Sequence, residues 1–405
     1  MRVCILPSWC PNATTPHAGS FFIEQAHAFA AAHPDWQVII VLHDLSRARF
    51  PRYRIWRWLR FFYDTLIRKK LHLSIADSGL IIYEIFSPYL PYAKGLDAFE
   101  VNAKALAKHC DIALQHINQH FGSVDILHAQ ASYPAGAALK YLQRKNGERL
   151  FLSEHLGPFP PHNLRDKKGA PHKIIRDAYH IAQFHSAVSQ NLADEIIALG
   201  LSHHVAVLPN FLSDSYGAFD VRVREKNIKN GAFHLLAVGG PSQEKGSDIL
   251  LEALALIDKN IVLTFVGNST HKKFFEQMAK RLQISHKVRW IGAVSREAMT
   301  QFYAACDAVV VASRYESFSV VCIEAFAHGK PVIATRSGGP QDSVNAHNGL
   351  LVDANNSDAL RQGIEQLIVQ YDFFNATNIR RDFLLRFSAS AVNPMIKAWY
   401  VTHIS

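Results

Sequence analysis

Short apolar runs alternate with segments of helical periodicity along the whole chain. Seven strand-like runs lie in the first half, RVCILP, WQVIIVLH, GLIIYEIF, DILHAQ, RLFLSEH, SAVSQN and HVAVLPN, and six lie in the second, FHLLAVGG, IVLTFVGN, KVRWIGA, DAVVVAS, PVIATR and NGLLVD. Alternation of strands with helices predicts parallel, doubly wound sheets of the α/β class. Ligands of such sheets bind at the carboxyl ends of the strands.

The strand pattern restarts after a polar stretch at residues 213–232, which we interpret as a linker. A chain of 405 residues is too long for one ordinary core and suits two domains of about 200 residues each. We predict one Rossmann-like domain over 1–212 and a second over 213–385, facing each other across a central cleft. A helix over 386–405 is expected to pack back on the first domain.

Cysteine usage and the N-terminal sequence indicate the compartment. The cysteines are odd in number and show no CxxC pairing, which argues against a disulfide framework or a zinc site: Cys4, Cys10, Cys110, Cys306 and Cys322. The first residues, MRVCILPSW, form a short run that stops at a proline rather than a signal peptide, and no run of about 18 apolar residues is present. We expect a cytoplasmic protein without a metal site.

The positive charge is concentrated in one segment. The chain carries a net charge of +9, and residues 47–70 hold nine Lys or Arg and one Asp. Aromatic side chains alternate with these charges, and the residues expected to form a surface are Arg52, Arg54, Trp56, Arg57, Trp58 and Arg60. The composition suits an anionic membrane surface. Two alternatives are a solvated helix with inward-facing rings and a nucleic-acid-binding segment.

A single carboxylate stands in an otherwise uncharged run. Between Ser317 and His328 the only charged side chain is that of Glu324, on a predicted helix between two predicted strands. Because a buried, unpaired carboxylate is costly, Glu324 is expected to have hydrogen-bond donors, either from a ligand or from the protein, in the form of a backbone amide or Lys330.

The stretch AVGGPSQEKGSDIL predicts a strand, a glycine-containing loop and a helix. Backbone amides at the start of a helix favour an anion, and Lys245 adds a positive charge suited to phosphate. The loop matches neither the GxxxxGK[ST] nor the GxGxxG pattern. A tight turn without a ligand is the alternative interpretation.

Three further strand ends carry polar or flexible residues. His155 follows LSE in the first domain and can donate to a sugar hydroxyl or a phosphate, or be satisfied by its own loop. Gly19 allows a backbone amide to approach a ligand closely. Glu316 stands just before the apolar helix, so it is expected to reach the same crevice as Glu324, and RSGGPQD supplies another strand-end loop.

Together these stretches resemble the family 4 retaining glycosyltransferases of the GT-B fold. Glu316 and Glu324 match the E-x7-E motif, and EAFAHGKPVIAT and the GGP of RSGGPQD follow it as in the family. Residues 238–246 resemble the family's phosphate loop, Pro209 and Asn210 its linker element, and 8–26 its early SWxP and EQA motif. The order and spacing cover nearly the whole chain.

The resemblance implies a hexosyltransferase-type enzyme that moves a sugar from a nucleotide sugar to an acceptor hydroxyl with retention and without an essential metal. The first domain would face the acceptor, and the second would bind the donor. Lys245 would stabilise the departing diphosphate, Glu316 would contact the donor sugar, Glu324 would bind the ribose hydroxyls, and His155 would lie near sugar and acceptor. The donor-binding set would be Gly19, Gly239, Gly240, Lys245, Gly246, Glu316, Ser317, Phe318, Ser319 and Glu324. No cofactor is expected, a UDP-sugar is the expected donor, and the expected acceptor is a lipid-linked or cell-surface glycan.

Two positions depart from the family pattern. Gly240 stands where the family has an arginine, so either Arg314 or Arg336 reaches the diphosphate, or Lys245 and helix amides suffice, or activity is weak or lost. Ser319 replaces a glycine and is expected to cap the following helix. The alternatives to transfer are a non-catalytic sugar-nucleotide-binding subunit and a GT-B sugar-nucleotide epimerase. No nucleic-acid partner is expected.

Overall fold

The structure is a computed structural model that describes residues 1–11, 18–44, 71–86, 97–143, 147–217 and 231–404. The basic aromatic segment 47–70, with Arg52, Arg54, Trp56, Arg57, Trp58 and Arg60, lies outside the described residues, as does most of the predicted linker. The chain divides into two compact units. The first comprises Met1–Val188, Ala193–Leu208 and Asn393–Ser405, and the second comprises Ser189–Leu192 and Pro209–Val392.

The first unit is built on one sheet. Its strands are β1 (Arg2–Pro7), β2 (Gln37–Asp44), β3 (Leu71–Ile75), β4 (Ile81–Phe86), β5 (Ile126–Gln130), β6 (Arg149–Glu154), β7 (Phe184–Ala187) and β8 (Val205–Val207). They lie in the order β3-β4-β2-β1-β5-β6-β7-β8. All neighbouring pairs are parallel except β3 with β4, which is antiparallel. The sheet is therefore parallel as predicted, except at the edge strand β3, which the sequence pattern did not predict.

The centre of this sheet is buried on both faces. From Val3 to Leu6, every side chain of β1 is at most 7% exposed, which is why the strand appears in the sequence as an uninterrupted apolar run. The C-terminal residues Trp399 and Tyr400 belong to the same apolar core as Val3 and Phe151. The Tyr400 hydroxyl also lies 2.6 Å from Nδ1 of the buried His128.

The second unit contains a parallel sheet throughout its described strands. These are β9 (Phe233–Val238), β10 (Ile261–Val266), β11 (Val288–Ile291), β12 (Ala308–Val311), β13 (Val332–Thr335) and β14 (Gly349–Val352). They lie in the order β11-β10-β9-β12-β13-β14. The strand order therefore reverses between β9 and β12, which makes the loops after these two strands neighbours and creates the crevice where such sheets bind ligands.

Helices lie between most successive strands, and three more follow the last strand. They are α1 (Ser20–Ala32), α2 (Ala98–His120), α3 (Lys173–Ile181), α4 (Gln190–Ala198), α5 (Ser247–Ala255), α6 (Lys272–Arg281), α7 (Arg296–Ala305), α8 (Val320–Ala327), α9 (Pro340–Ser343), α10 (Ser357–Val369), α11 (Ala376–Arg386) and α12 (Ala389–Thr402). Of these, α5 follows the β9 loop and α8 follows the β12 loop. The amino ends of both helices therefore lie at the carboxyl edge of the second sheet.

Candidate active site

An ion pair joins the two loops at the reversal point of the second sheet. Lys245 follows β9, Glu316 follows β12, and Nζ of the lysine lies 2.7 Å from Oε1 of the glutamate. The Ser313 hydroxyl donates to the same carboxylate oxygen at 2.6 Å. The glutamate side chain is 13% exposed and the lysine side chain 45%. A partly exposed cation and an enclosed carboxylate thus lie side by side at the strand ends.

The backbone of Glu316 is fixed by the loop after β13. Its N–H donates to the Ser337 carbonyl at 2.8 Å, and its carbonyl accepts from Gly339 N–H at 2.8 Å. A Cβ atom at Gly339 would lie 2.2 Å from Cα of Phe318, so only glycine allows this approach. The predicted RSGGPQD loop therefore supports Glu316 from behind.

Each glycine of the β9 loop has its own backbone geometry or close contact. Gly246 has φ +60° at the start of α5, and a Cβ there would lie 1.9 Å from the Ala312 carbonyl oxygen. Gly239 has φ +105°. At Gly240 a Cβ would lie 1.8 Å from the carbonyl oxygen of Asn268. The position that carries an arginine in the resembling family therefore has no room for any side chain in this chain.

The two arginines considered as substitutes have protein partners. Arg314 forms a two-pronged ion pair with Asp248, with Nη1–Oδ1 at 2.9 Å and Nη2–Oδ2 at 2.8 Å. Attraction between the two groups lowers the pKa of the Asp248 carboxyl below its usual value, although partial burial opposes this. Arg336 is half-exposed and lies 3.9 Å from Asp353. Lys245 is therefore the cation that reaches Glu316 in this structure.

Glu324 lies on α8, mostly buried, and its protein donor is a tyrosine. The Tyr303 hydroxyl donates to Oε2 at 2.6 Å. Burial raises the pKa of the Glu324 carboxyl, while this hydrogen bond and the positive charge of Arg296 offset part of the rise. Lys330, one of the partners considered from sequence, instead donates to the carbonyl of Ala304 at 3.3 Å. The expected protein donor is present, but Lys330 is not that donor.

Ser319 does not cap α8 through its side chain, so that prediction was also wrong. Its backbone is left-handed, with φ 72° and ψ 81°, and its hydroxyl accepts from the Cys322 thiol at 3.4 Å. This backbone conformation favours glycine, which explains the residue usual in the family. Of the two residues before it, Phe318 is buried, and the Ser317 carbonyl accepts from the Ser189 hydroxyl at 2.6 Å.

In the first unit, His155 follows β6 and is held as a neutral ring. Its Nε2 lies 2.6 Å from Oε1 of Gln130, and since an amide oxygen only accepts, Nε2 carries the hydrogen. Phe22 packs edge-on against the ring at 4.9 Å between centroids. Burial, with a smaller contribution from His128, lowers the pKa of His155 to about 3. The ring is therefore uncharged at neutral pH.

The residue before His155 organises its loop. The Glu154 carboxylate is fully buried and accepts from the backbone N–H groups of His155 at 2.9 Å and Leu156 at 3.0 Å. Burial raises the pKa of the Glu154 carboxyl, and these hydrogen bonds oppose the rise. Gly19, after β1, has φ 71° at the start of α1, and a Cβ there would lie 2.5 Å from the Trp9 carbonyl oxygen.

Sequence reasoning missed three side chains that hold the candidate residues. Ser313 orients Glu316, Tyr303 donates to Glu324, and Gln130 accepts from His155. Ser313 could have been found, since it stands at the end of the β12 run and three residues before Glu316. No short-range signal in the sequence marks the other two, which act across 21 and 25 residues.

The described residues offer neither a metal-binding cluster nor a membrane-spanning helix. Within this part of the chain, no three His, Cys, Asp or Glu side chains are grouped so that they could hold a metal ion. Within the same ranges, no helix combines the length and the apolar character needed to cross a bilayer.

Comparison with known proteins identifies the class. Residues 102–216 match the model of Glycosyltransferase Family 4, and residues 220–378 match that of Glycosyl transferases group 1. The two matches follow one another along the chain, which belongs to the family 4, group 1 glycosyltransferases. The resemblance inferred from the E-x7-E motif and its neighbouring motifs is thus confirmed, and the chain is an enzyme of the glycosyltransferase class.

Individual relatives are distant. An uncharacterized glycosyltransferase of Methanocaldococcus jannaschii is 27% identical over 292 residues, which span 72% of this chain and 75% of that protein. The lipopolysaccharide core biosynthesis glycosyltransferase LpsE of Rhizobium meliloti is 28% identical over 178 residues, 44% of this chain and 51% of that protein.

Solved structures define the fold. Sucrose-phosphate synthase from Thermosynechococcus elongatus superposes with a TM-score of 0.73 at 17% identity, over 99% of both chains. Anabaena HepE in complex with UDP gives 0.69 at 19% identity, over 99% of this chain and 100% of that one. HepE has also been solved in complex with UDP-glucose. The predicted GT-B fold, with two doubly wound α/β domains, is confirmed.

Proposed function

We propose that this protein is a retaining glycosyltransferase that moves a sugar from a UDP-sugar to an acceptor hydroxyl and needs no metal ion. The observation that carries the proposal is the Lys245–Glu316 ion pair at the reversal point of the second sheet. An ammonium group there suits a diphosphate, and a carboxylate beside it suits sugar hydroxyls, which donate hydrogen bonds. The HepE complexes with UDP and UDP-glucose support a UDP-sugar as the donor.

Each of the candidate side chains has a separate role in this reaction. Lys245 neutralises the negative charge that grows on the leaving diphosphate, and one preorganised donor of this kind is worth about 3 kcal/mol in the transition state. Glu316 accepts from the donor sugar. Glu324 accepts from the ribose hydroxyls while Tyr303 holds its other side. His155, whose ring is uncharged, is assigned to hydrogen bonding with the sugar or the acceptor and supplies no positive charge.

Donor binding requires an exchange of partners. In the structure, Lys245 and Glu316 satisfy each other at 2.7 Å. With the donor bound, the ammonium turns to phosphate oxygen and the carboxylate to hydroxyl groups, so each charge keeps a partner. The lysine side chain is 45% exposed and therefore has room to turn.

The acceptor is proposed to be a lipid-linked or cell-surface glycan. The LpsE relative acts, by its name, in lipopolysaccharide core biosynthesis. The cationic and aromatic composition of residues 47–70 suits peripheral binding at the cytoplasmic face of a membrane. Replacing Arg52, Arg54 and Arg57 with Glu is expected to abolish binding to vesicles containing phosphatidylserine without changing donor hydrolysis. Unchanged vesicle binding would remove the membrane part of the proposal.

Transfer itself is tested by turnover. The purified protein is incubated with UDP-, GDP-, ADP- and dTDP-sugars in the presence of EDTA, beside Lys245→Ala and Glu316→Ala. Release of UDP that EDTA does not affect and that both substitutions reduce at least about a hundredfold supports the proposal. Thermal stabilisation by one nucleotide without turnover, even with lipid-linked sugars present, would instead favour a non-catalytic binding subunit. Interconversion of the sugar without transfer would favour an epimerase.

A further inference from the structure

Arg314 forms several hydrogen bonds beside the loop that carries Lys245. Its guanidinium forms the two-pronged pair with Asp248 at 2.9 and 2.8 Å. Such fork-to-fork pairs fix the orientation of both groups as well as their distance. The two side chains are 33% and 20% exposed, so solvent screens the pair only in part.

The same residue is tied to the backbone just before Lys245. Nη1 of Arg314 also donates to the carbonyl of Gln243. Its backbone N–H donates to the carbonyl of Glu244 at 2.9 Å. The two residues that precede the lysine are therefore both held by Arg314, which itself stands two residues before Glu316.

The loop between Gly239 and Gly246 has Lys245 as its only Lys or Arg. At its beginning, the backbone at Gly240 is packed against Asn268 and leaves no space for a side chain. At its end, the N–H of Lys245 donates to the Ser242 hydroxyl at 3.2 Å, and the two residues before the lysine are bonded to Arg314. This loop therefore offers a single cation, and its neighbouring backbone is held from the loop after β12.

We propose that Arg314 is a positioning residue that, anchored by Asp248, holds residues 243–244 so that Lys245 meets the diphosphate of the donor. The inference rests on the proposed function. Three of the five N–H groups of the Arg314 guanidinium donate to protein oxygens, so the protein fixes its orientation, and we expect the arginine to act through Lys245 rather than as a phosphate ligand. This distinguishes it from the substitute cation considered on sequence grounds.

A double-mutant cycle tests whether Arg314 acts through Lys245. Arg314→Met keeps the apolar stem and removes the fork, and Asp248→Asn removes the anchoring charge. We expect Arg314→Met to lower kcat by about tenfold or more, with a smaller change in KM, because misplacement by about 1 Å can cost up to a hundredfold. Asp248→Asn should change kcat in the same direction. In a Lys245→Ala background, Arg314→Met should change kcat less than about twofold.

Arg361→Met is the matched control. Arg361 lies on α10 and likewise pairs with two carboxylate oxygens, of Asp358 at 2.9 Å and Glu365 at 2.6 Å. Its loss should leave kcat unchanged. An equal fall in kcat for Arg314→Met with and without Lys245 would overturn the proposal. Higher activity in Asp248→Asn would also overturn it, because a released arginine would then be serving as a phosphate ligand.

Amide hydrogen exchange gives a readout that does not depend on turnover. Arg314→Met should speed exchange at residues 243–246, and Arg361→Met should not. Should the wild-type protein release no nucleotide from any donor, the proposed function fails, and this measurement still decides the positioning role. Unchanged exchange in Arg314→Met would contradict it.

Discussion

Replacing Gly240 with alanine places a methyl group where the structure has no room for one. The added Cβ would lie 1.8 Å from the Asn268 carbonyl oxygen and 2.5 Å from its carbonyl carbon. Ordinary contact begins near 3.4 Å, so the two loops must separate by about 1.5 Å. Overpacking of this kind costs about 1–3 kcal/mol, which corresponds to a fall in melting temperature of roughly 2–12 °C for a domain of this size.

Gly240→Arg adds charge to the same clash. We expect both Gly240 variants to melt earlier than the wild type in calorimetry, and neither to release UDP faster. Gly292→Ala is the control, because its Cβ would meet only the Asn268 side-chain oxygen at 3.2 Å, and it should melt near the wild-type temperature. An unchanged melting temperature together with a higher kcat in Gly240→Arg would refute the steric explanation for the missing arginine.

Three other outcomes are expected. Ser319→Gly should raise the free energy of unfolding by about 1 kcal/mol in urea titration, because glycine adopts the left-handed backbone without strain; a loss of stability would contradict this. Tyr303→Phe removes the hydrogen bond that Tyr303 donates to the Glu324 carboxylate, so in urea titration it should lower stability by about 1–3 kcal/mol at pH 7, and the loss should shrink at acidic pH where the carboxyl is protonated. Burial lowers the pKa of His128 to about 3. Stability should therefore fall as the pH drops from 6.5 towards 3, because unfolding lets the ring take up a proton. His128→Gln should flatten this pH dependence when unfolding is followed by tryptophan fluorescence, and an unaltered pH profile would exclude His128 as the cause.

The inner strands of the second sheet were predictable because burial on both faces makes them apolar runs, as in the fully buried β12 and β13. All six predicted runs became strands, from Phe233–Val238 to Gly349–Val352. In the first sheet, LHLSI was overlooked since β3 is mostly exposed and pairs antiparallel at an edge. SAVSQN became the end of β7 and the start of α4, because a strand of four residues leaves little pattern to locate its bounds.

Only those features of the candidate site that depend on which loop a residue occupies could be predicted. Lys245 and Glu316 follow strands that turned out to be neighbours, so loop position alone places them close together. The directions of side chains across long sequence separations could not be predicted. The Arg314–Asp248 pair joins residues 66 apart, and Tyr303 reaches Glu324 from another helix. Which of several arginines is engaged depends on packing that no short pattern encodes.

The place of Trp399 and Tyr400 in the first unit bears on the order in which the protein is synthesised and folds. The ribosome finishes Leu208 about 185 residues before it reaches Asn393, where the last piece of that unit begins. At roughly 5–20 residues per second, this interval is on the order of 10–40 s. During that time Phe151 lacks the rings of Trp399 and Tyr400, and His128 lacks its tyrosine partner. The amino-terminal unit, although made first, is completed last.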